Sequence, residues 1–366
     1  MDLEPDEDFG CSKIPTRPND ISLSNAVQSG GKRILLVKTL LSSACERDCY
    51  YCPFRAGRDF RRVNFKPEEL AQTFMSFYQA GIAQGIFLSS GITGKGYRTQ
   101  DRLIDAAEIL RSKLGYRGYL HLKIMPGSER AQVERTMQLA DRVSVNLEAP
   151  NQQRLQVLAP GKQFLQELIR PLQWVEEIRQ TRPAQLGWNG RWPSSVTQFV
   201  AGGAGESDLE LLSTTEHLYR QLRLQRTYFM AFRPIPDTPM ENQPAVSPLR
   251  ERRLYQASFL IRDYQFSYEE FLFDQRGNLP VETDPKTAWA EIHLSGRPME
   301  INLASHQELL RIPGVGPKGA GAILAARRLR KFRSLSELNK IGINTHRIAP
   351  FIIIDGKLPT RQGKFW

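Results

Sequence analysis

Three of the chain's four cysteines fall in one short segment, Cys45-Glu46-Arg47-Asp48-Cys49-Tyr50-Tyr51-Cys52, with the spacing C-x3-C-x2-C. Three thiolates on one tight loop can hold three irons of a four-iron cluster and leave the fourth iron open to a cofactor or substrate. The other chemistry such a set can serve is a closed zinc site, with Cys11 or a histidine as the fourth ligand. The pattern weighs against zinc, because zinc knuckles pair two C-x2-C units and here a single C-x2-C follows a lone offset of three. Cys11 has no partner at ligand spacing and reads as incidental.

The elements around the cysteines alternate. Arg33 to Leu41 carries the aliphatic run Ile34-Leu35-Leu36-Val37, suited to a buried strand that delivers the chain to Cys45. A helix is predicted from Pro67 to Ala80, with Pro67 in its first turn and Glu68 and Glu69 at its positive end. Further strands are predicted at Gly85 to Ser89, Tyr119 to Met125, Arg142 to Leu147, Gln198 to Ala201 and Thr227 to Phe232, with helices between them. Six such βα units imply an α/β fold, a partial (β/α)6 TIM-like barrel whose working face lies at the carboxyl ends of the strands. Residues 1–32 read as an N-terminal arm, 33–290 as the partial barrel with a helical extension, and 291–366 as a separate small all-helical domain.

The cysteine spacing, with an aromatic residue directly before the third cysteine, resembles the radical SAM superfamily. That resemblance implies a [4Fe-4S] cluster on Cys45, Cys49 and Cys52, and S-adenosyl-L-methionine chelated to the open iron. Cleavage of the sulfonium would then give a 5′-deoxyadenosyl radical. It also implies an external electron donor, and cofactor contacts from Tyr51, from Ser89, Ser90 and Gly91 after the second strand, and from Asn146 and Glu148 after the fourth. Gly203 and Gly205 resemble the glycine stretch that lies beside adenine. Where the family often has Gly-Gly-Glu, this chain has Ser89-Ser90-Gly91, so the acidic side chain is missing. Each of these strand ends also reads as an ordinary turn, Glu148 as a solvated strand-end carboxylate, and Lys123 as either inside the barrel or outside it.

The formal net charge is +11. From His293 to Trp366 there are thirteen Lys or Arg against four Asp or Glu, net +9, which leaves +2 for the rest. Such asymmetry points the tail at a polyanion. Ser305 and Glu308 stand at capping-box spacing before Ile312-Pro313-Gly314-Val315-Gly316-Pro317-Lys318. This segment resembles the helix-hairpin-helix motif of DNA repair and recombination proteins, with a degenerate second copy around Ile341-Gly342-Ile343. By that resemblance Gly314, Gly316, Lys318, Arg327, Arg328 and Lys331 contact nucleic acid, most simply DNA phosphate. The plainer alternative is a scaffold whose arginines are a solvated face.

A radical SAM domain joined to such a tail is similar to a group of proteins associated with DNA modification and repair, often with a uracil-DNA-glycosylase-like partner. The resemblance implies an enzyme acting on a base or sugar in nucleic acid. The alternatives are a radical SAM enzyme for RNA, peptide or a small molecule, and a non-enzymatic DNA-binding iron-sulfur protein. No stretch approaches the ~20 apolar residues of a membrane span, and the chain opens without a secretory pattern, so the expected location is cytoplasmic.

Overall fold

The computed structural model describes residues 23–27 and 33–359. Cys11 and most of the predicted N-terminal arm lie outside the described residues. The described residues form two compact units, one of residues up to 206 together with 217–247, the other of 207–216 and 248–359.

The first unit is built on β1 (Leu23–Val27), β2 (Arg33–Leu40), α1 (Pro67–Gln79), β3 (Gly85–Ser89), α2 (Gly96–Glu108), β4 (Tyr119–Lys123), α3 (Arg130–Leu139) and β5 (Arg142–Ser144). It continues through α4 (Gln152–Leu158), α5 (Arg170–Thr181), β6 (Ser194–Ala201), residues 217–222 of α6 (Asp208–Leu222) and β7 (Arg226–Ala231). The strands lie in sequence order in one sheet. β2 to β7 are all parallel, as six βα units require. β1 adds an antiparallel strand beside β2, in a segment the sequence reading had left as an arm without an element. The sheet curls and stays open, a half-barrel.

Helix boundaries follow local chemistry. α1 has Pro67 in its first turn and Glu69 accepting from the Lys66 N–H at 2.9 Å. α2 runs on as a π-helical turn over Ile109–Lys113. β5 is shorter than its predicted span, and the Leu147 N–H beyond it donates to the Thr197 side-chain hydroxyl at 3.2 Å instead of to a β6 carbonyl.

One buried ion pair locks the unit below the site. Arg111 donates to Asp141 at 2.9 Å and to the carbonyls of Leu139, Tyr116 and Gly118. Asp141 also accepts from the Leu120 N–H at 3.0 Å, which ties the starts of β4 and β5 together. Burial lowers the Arg111 pKa, and the Asp141 carboxylate opposes that shift.

The second unit holds α7 (Pro248–Tyr264), α8 (Pro285–His293), β8 (Met299–Glu300), α9 (His306–Leu309), α10 (Pro317–Leu329), α11 (Leu335–Lys340), α12 (Thr345–Ile348) and β9 (Ile352–Ile353). Its core gathers Ala290, Ile301, Leu309, Ile323, Ile348 and Ile352. β8 and β9 pair in parallel, which corrects the all-helical expectation. The aliphatic run at 351–354 forms the second strand because Ile352 is needed in that core.

Arg111→Ala leaves Asp141 and three carbonyls without their buried donor. A loss of about 3–5 kcal/mol is expected, read as a lower midpoint in urea denaturation; an unchanged midpoint would mean that these acceptors find other donors.

Candidate functional site

The cysteine loop leaves β2 and is fastened on two sides. On one side the Ser42 carbonyl accepts from the Gly91 N–H at 2.7 Å, and the Glu46 N–H donates to the Ile92 carbonyl at 2.8 Å. A Cβ on Gly91 would lie 2.2 Å from the Ala44 carbonyl oxygen and 3.2 Å from the Cys45 Cβ, so only glycine allows this approach. The Glu46 carboxylate accepts from the Gly94 and Lys95 N–H groups at 3.0 and 2.9 Å. On the other side the Arg47 guanidinium donates to the Gly161 carbonyl at 2.6 Å and pairs with Glu167. The Tyr50 N–H reaches the Leu158 carbonyl at 2.7 Å. The sequence reading assigned no role to Glu46 or Arg47, although their place between the first two cysteines was a signal.

Cys45, Cys49 and Cys52 are free thiols. Backbone N–H groups point at two of them, Ile92 and Arg47 at Cys45 Sγ (3.4 and 3.5 Å) and Phe54 at Cys52 Sγ (3.4 Å). Burial raises the Cys49 thiol, and burial pushes Cys52 up to about 12, with the Phe54 N–H opposing. Among the described residues no group of three or more His, Cys, Asp or Glu side chains is already drawn together as a metal site. The donors nonetheless fit a thiolate-held iron cluster, since the N–H···S bonds favour the thiolate form and three sulfurs come from one loop.

Beneath the loop lies a buried ion pair. Lys162 donates to Glu148 at 3.2 Å, with both side chains less than a tenth exposed. The solvated reading of Glu148 is thereby overturned: its left-handed backbone turns the carboxylate inward. The Glu148 charge and that of Cys49 more than offset burial and raise the Lys162 pKa, while burial, reinforced by Glu148, raises the Tyr51 phenol. Lys162 had no signal in the sequence, because its partner is fourteen residues away across α4.

The remaining predicted residues divide. Ser90 is buried and Gly91 abuts Cys45, while the Ser89 carbonyl accepts from Leu41 at 2.8 Å. Asn146 is half-buried on the continuation of β5. Gly203 packs on Leu158, the residue whose carbonyl holds Tyr50. Gly205 takes φ +67° at a turn closed by Glu206, whose carboxylate accepts from the Gly202 and Ala204 N–H groups.

In the second unit, α9 and α10 are joined through Gly314 at φ +88°, with Gly316 as the cap of α10. A Cβ on Gly314 would meet the Arg347 Cβ at 2.9 Å. The Val315 carbonyl of this turn is held by buried Lys286 at 2.6 Å, an anchor the sequence reading missed. Lys318, Arg328 and Lys331 are exposed. Arg327 instead donates to the Ala304 and Ile301 carbonyls at 2.6 and 3.2 Å.

With Cys49 and Cys52 raised, both are protonated at neutral pH in metal-free protein, and the thiolate fraction grows as pH rises toward their pKa. Alkylation of each by iodoacetamide is expected to accelerate about tenfold per pH unit between 7 and 9. Mass-spectrometric labelling rates at the two positions check this, and a plateau below pH 8 would refute it.

Residues 39–216 match the model of the radical SAM superfamily. No curated protein matches the chain. Among solved structures the chain is similar to the FeFe-hydrogenase maturase HydG from Carboxydothermus hydrogenoformans, with 16% identity, a TM-score of 0.49, and coverage of 62% of this chain and 51% of that one. It is similar to methylornithine synthase (PylB), with 16% identity, a TM-score of 0.49, and coverage of 62% and 61%. It is also similar to the radical S-adenosylmethionine methyltransferase TsrM from Kitasatospora setae, with 14% identity, a TM-score of 0.43, and coverage of 60% and 40%. The chain thus spans less than two thirds of the length of each of these structures. With the cysteine loop inside the matched residues, the chain carries a radical SAM enzymatic domain.

Proposed function

We propose that this chain is a radical SAM enzyme that holds a [4Fe-4S] cluster on Cys45, Cys49 and Cys52 and seats S-adenosyl-L-methionine on the adjoining strand ends. The observation that carries the reading is the fastening of three free thiols on one loop, closed against Gly91 at the exit of β3. When bound, cluster and cofactor supply reductive cleavage of the sulfonium and a 5′-deoxyadenosyl radical. The chain's own part is placement. Ser89, Ser90 and Gly91 offer backbone groups beside Cys45. Asn146 and Glu148 follow β5, Tyr51 would join them from the cysteine loop, and Gly203 and Gly205 belong to the turn after β6 that would stand beside the adenine, with Gly203 itself packed on Leu158. The Glu148–Lys162 pair balances charge beneath the loop without admitting water.

Anaerobic reconstitution is expected to give about four irons per chain and, with a strong reductant, 5′-deoxyadenosine and methionine. Cys45→Ala, Cys49→Ala and Cys52→Ala should each lose both, and Cys11→Ala neither. Chromatography of the products with iron analysis checks this. Stoichiometric zinc in place of iron would end the reading. A loaded, reducible protein that never cleaves the cofactor would favour the non-enzymatic DNA-binding alternative.

The substrate is a separate proposal, with 33–290 as the radical domain and 291–366 as the module that recruits. The nucleic-acid reading rests on Gly314, Gly316 and the exposed Lys318, Arg328 and Lys331. It brings with it DNA, an electron donor and a uracil-DNA-glycosylase-like protein as partners. A second reading, in which the substrate is RNA, a peptide or a small molecule and the tail is a scaffold, is favoured by a specific observation: Arg311 and Arg330 are paired with Glu270 and Glu337, and Arg327 is spent on carbonyls. The comparisons reach the radical chemistry without a nucleic-acid substrate and sit better with this second reading.

Fluorescence anisotropy over a salt series separates the two. If Lys318, Arg328 and Lys331 each meet a phosphate, changing all three to Gln lowers the slope of log affinity against log salt by about 3 in magnitude, at roughly 0.9 per contact, and does so for any DNA sequence. An unchanged slope assigns the tail to scaffolding.

A further inference from the structure

The face of the sheet turned away from the helices carries charge for which the cluster site has no use. Pairing sets Phe87 opposite His121 and His121 opposite Arg142. Side chains alternate along a strand, so Lys123 shares this inner face, while Leu120 and Leu122, wholly buried, occupy the other. Lys123 is therefore inside the half-barrel, the question its sequence position had left open.

Among the described residues, neither Arg142 nor Lys123 has a carboxylate at ion-pair distance. The Arg142 guanidinium is held by neutral oxygens alone, Ser194 Oγ at 3.1 Å, Gln225 Oε1 at 3.2 Å and the Tyr228 hydroxyl at 3.5 Å. Glu148 is the carboxylate whose charge reaches Lys123, and it is already bonded to Lys162. Burial still draws Lys123 down to about 8, so it remains a cation at neutral pH. Between Arg142 and Lys123 stands His121, its ring 4.3 Å from that of Phe87 and its Nε2 buried with no hydrogen-bond partner among the described residues. Burial, followed by Arg142, Lys123 and Lys38, holds His121 far below the usual imidazole range and keeps it neutral. Two cations without a carboxylate of their own, Arg142 and Lys123, beside a buried polar atom with no partner are costly unless something arrives to complete them.

We infer that the inner face of the half-barrel is an oxyanion pocket, in which a phosphate or carboxylate group of the substrate is held by Arg142 and Lys123 and hydrogen-bonded by His121 Nε2. The inference rests on the proposed radical SAM reading and adds the class of substrate. An anchor on the strands themselves fixes one end of the substrate relative to the cysteine loop, which is what hydrogen abstraction at a single position demands.

The test uses the full-length, cluster-loaded protein and equilibrium dialysis with three probes: deoxycytidine 5′-monophosphate, succinate and deoxycytidine. Binding of either anion, with deoxycytidine at least tenfold weaker, is expected, and the anion that binds tells phosphate from carboxylate. Arg142→Gln and Lys123→Gln should each weaken the bound anion roughly tenfold or more, the range of a charge-assisted hydrogen bond. The comparison among probes needs no variant and so survives a variant that misfolds. Equal binding of all three probes, binding of none, or loss of both anions at saturating S-adenosyl-L-methionine would overturn the pocket, the last by giving it to the cofactor. Cofactor cleavage by the wild-type protein without any probe reads the underlying chemistry separately. Cleavage without anion binding sinks only the pocket, and anion binding without cleavage sinks only the radical reading.

Discussion

Two backbones set the site: that of Ala44, just before the first clustered cysteine, and that of Gly91, just after β3. They come so close that any side chain at 91 would overlap the Ala44 carbonyl. The approach is possible because β2 and β3 are neighbours in a parallel sheet, so both strands release their loops at the same edge. Once the two backbones meet, the rest of the fastening follows at short range. Glu46 can reach the Gly94 and Lys95 N–H groups, and the Ile92 N–H can point at Cys45 Sγ. A loop held only by its own residues would leave three thiols to wander through many geometries; this one is held by its neighbours.

The second constraint is electrostatic. Glu148 adopts a backbone conformation that costs a non-glycine residue about 1–3 kcal/mol. It is retained by two bonds to β6, from its own N–H to the Gln198 carbonyl at 2.9 Å and from the Val200 N–H to its carbonyl at 2.8 Å. The result is a carboxylate aimed inward, where it neutralises Lys162 under the cysteine loop. Without it, Lys162 would be a buried cation with no partner, and the loop above would rest on an uncompensated charge. With it, the loop above rests on a neutralised pair.

What was legible in the sequence follows from the range of the forces involved. The six parallel strands could be read because each is a short apolar run between turn residues, a local signal. The cysteine spacing was legible for the same reason. β1 was not, since Leu23-Ser24-Asn25-Ala26-Val27 has neither an apolar run nor clean alternation and becomes a strand only by pairing with β2. Lys123 shows the limit of periodicity: alternation places it with Tyr119 and His121, but which face is inside is decided by the helices on the other side. The Glu148–Lys162 pair and the Lys286 anchor under Val315 lie further beyond reach, because each joins residues whose closeness is a property of the folded unit.

The tail makes the same point about charge. Thirteen basic residues in its sequence suggest a surface built for a polyanion, but a count of charges is not a count of available charges. Arg311 lies over the Phe266 ring and pairs with Glu270, Arg327 caps carbonyls, Arg330 pairs with Glu337, and Arg347 lies 3.6 Å from Asp284. These side chains hold the small unit together, as a domain of this size with a modest core requires. Exposed among the tail's described residues are Lys318 beside the Gly314–Gly316 turn, Arg328 and Lys331 at the far end of α10, and Arg297, Arg333, Lys340 and Lys357 elsewhere. A nucleic acid bound at the turn itself would meet the backbone N–H groups there and Lys318, and phosphate contacts of that kind position a strand without reading its bases.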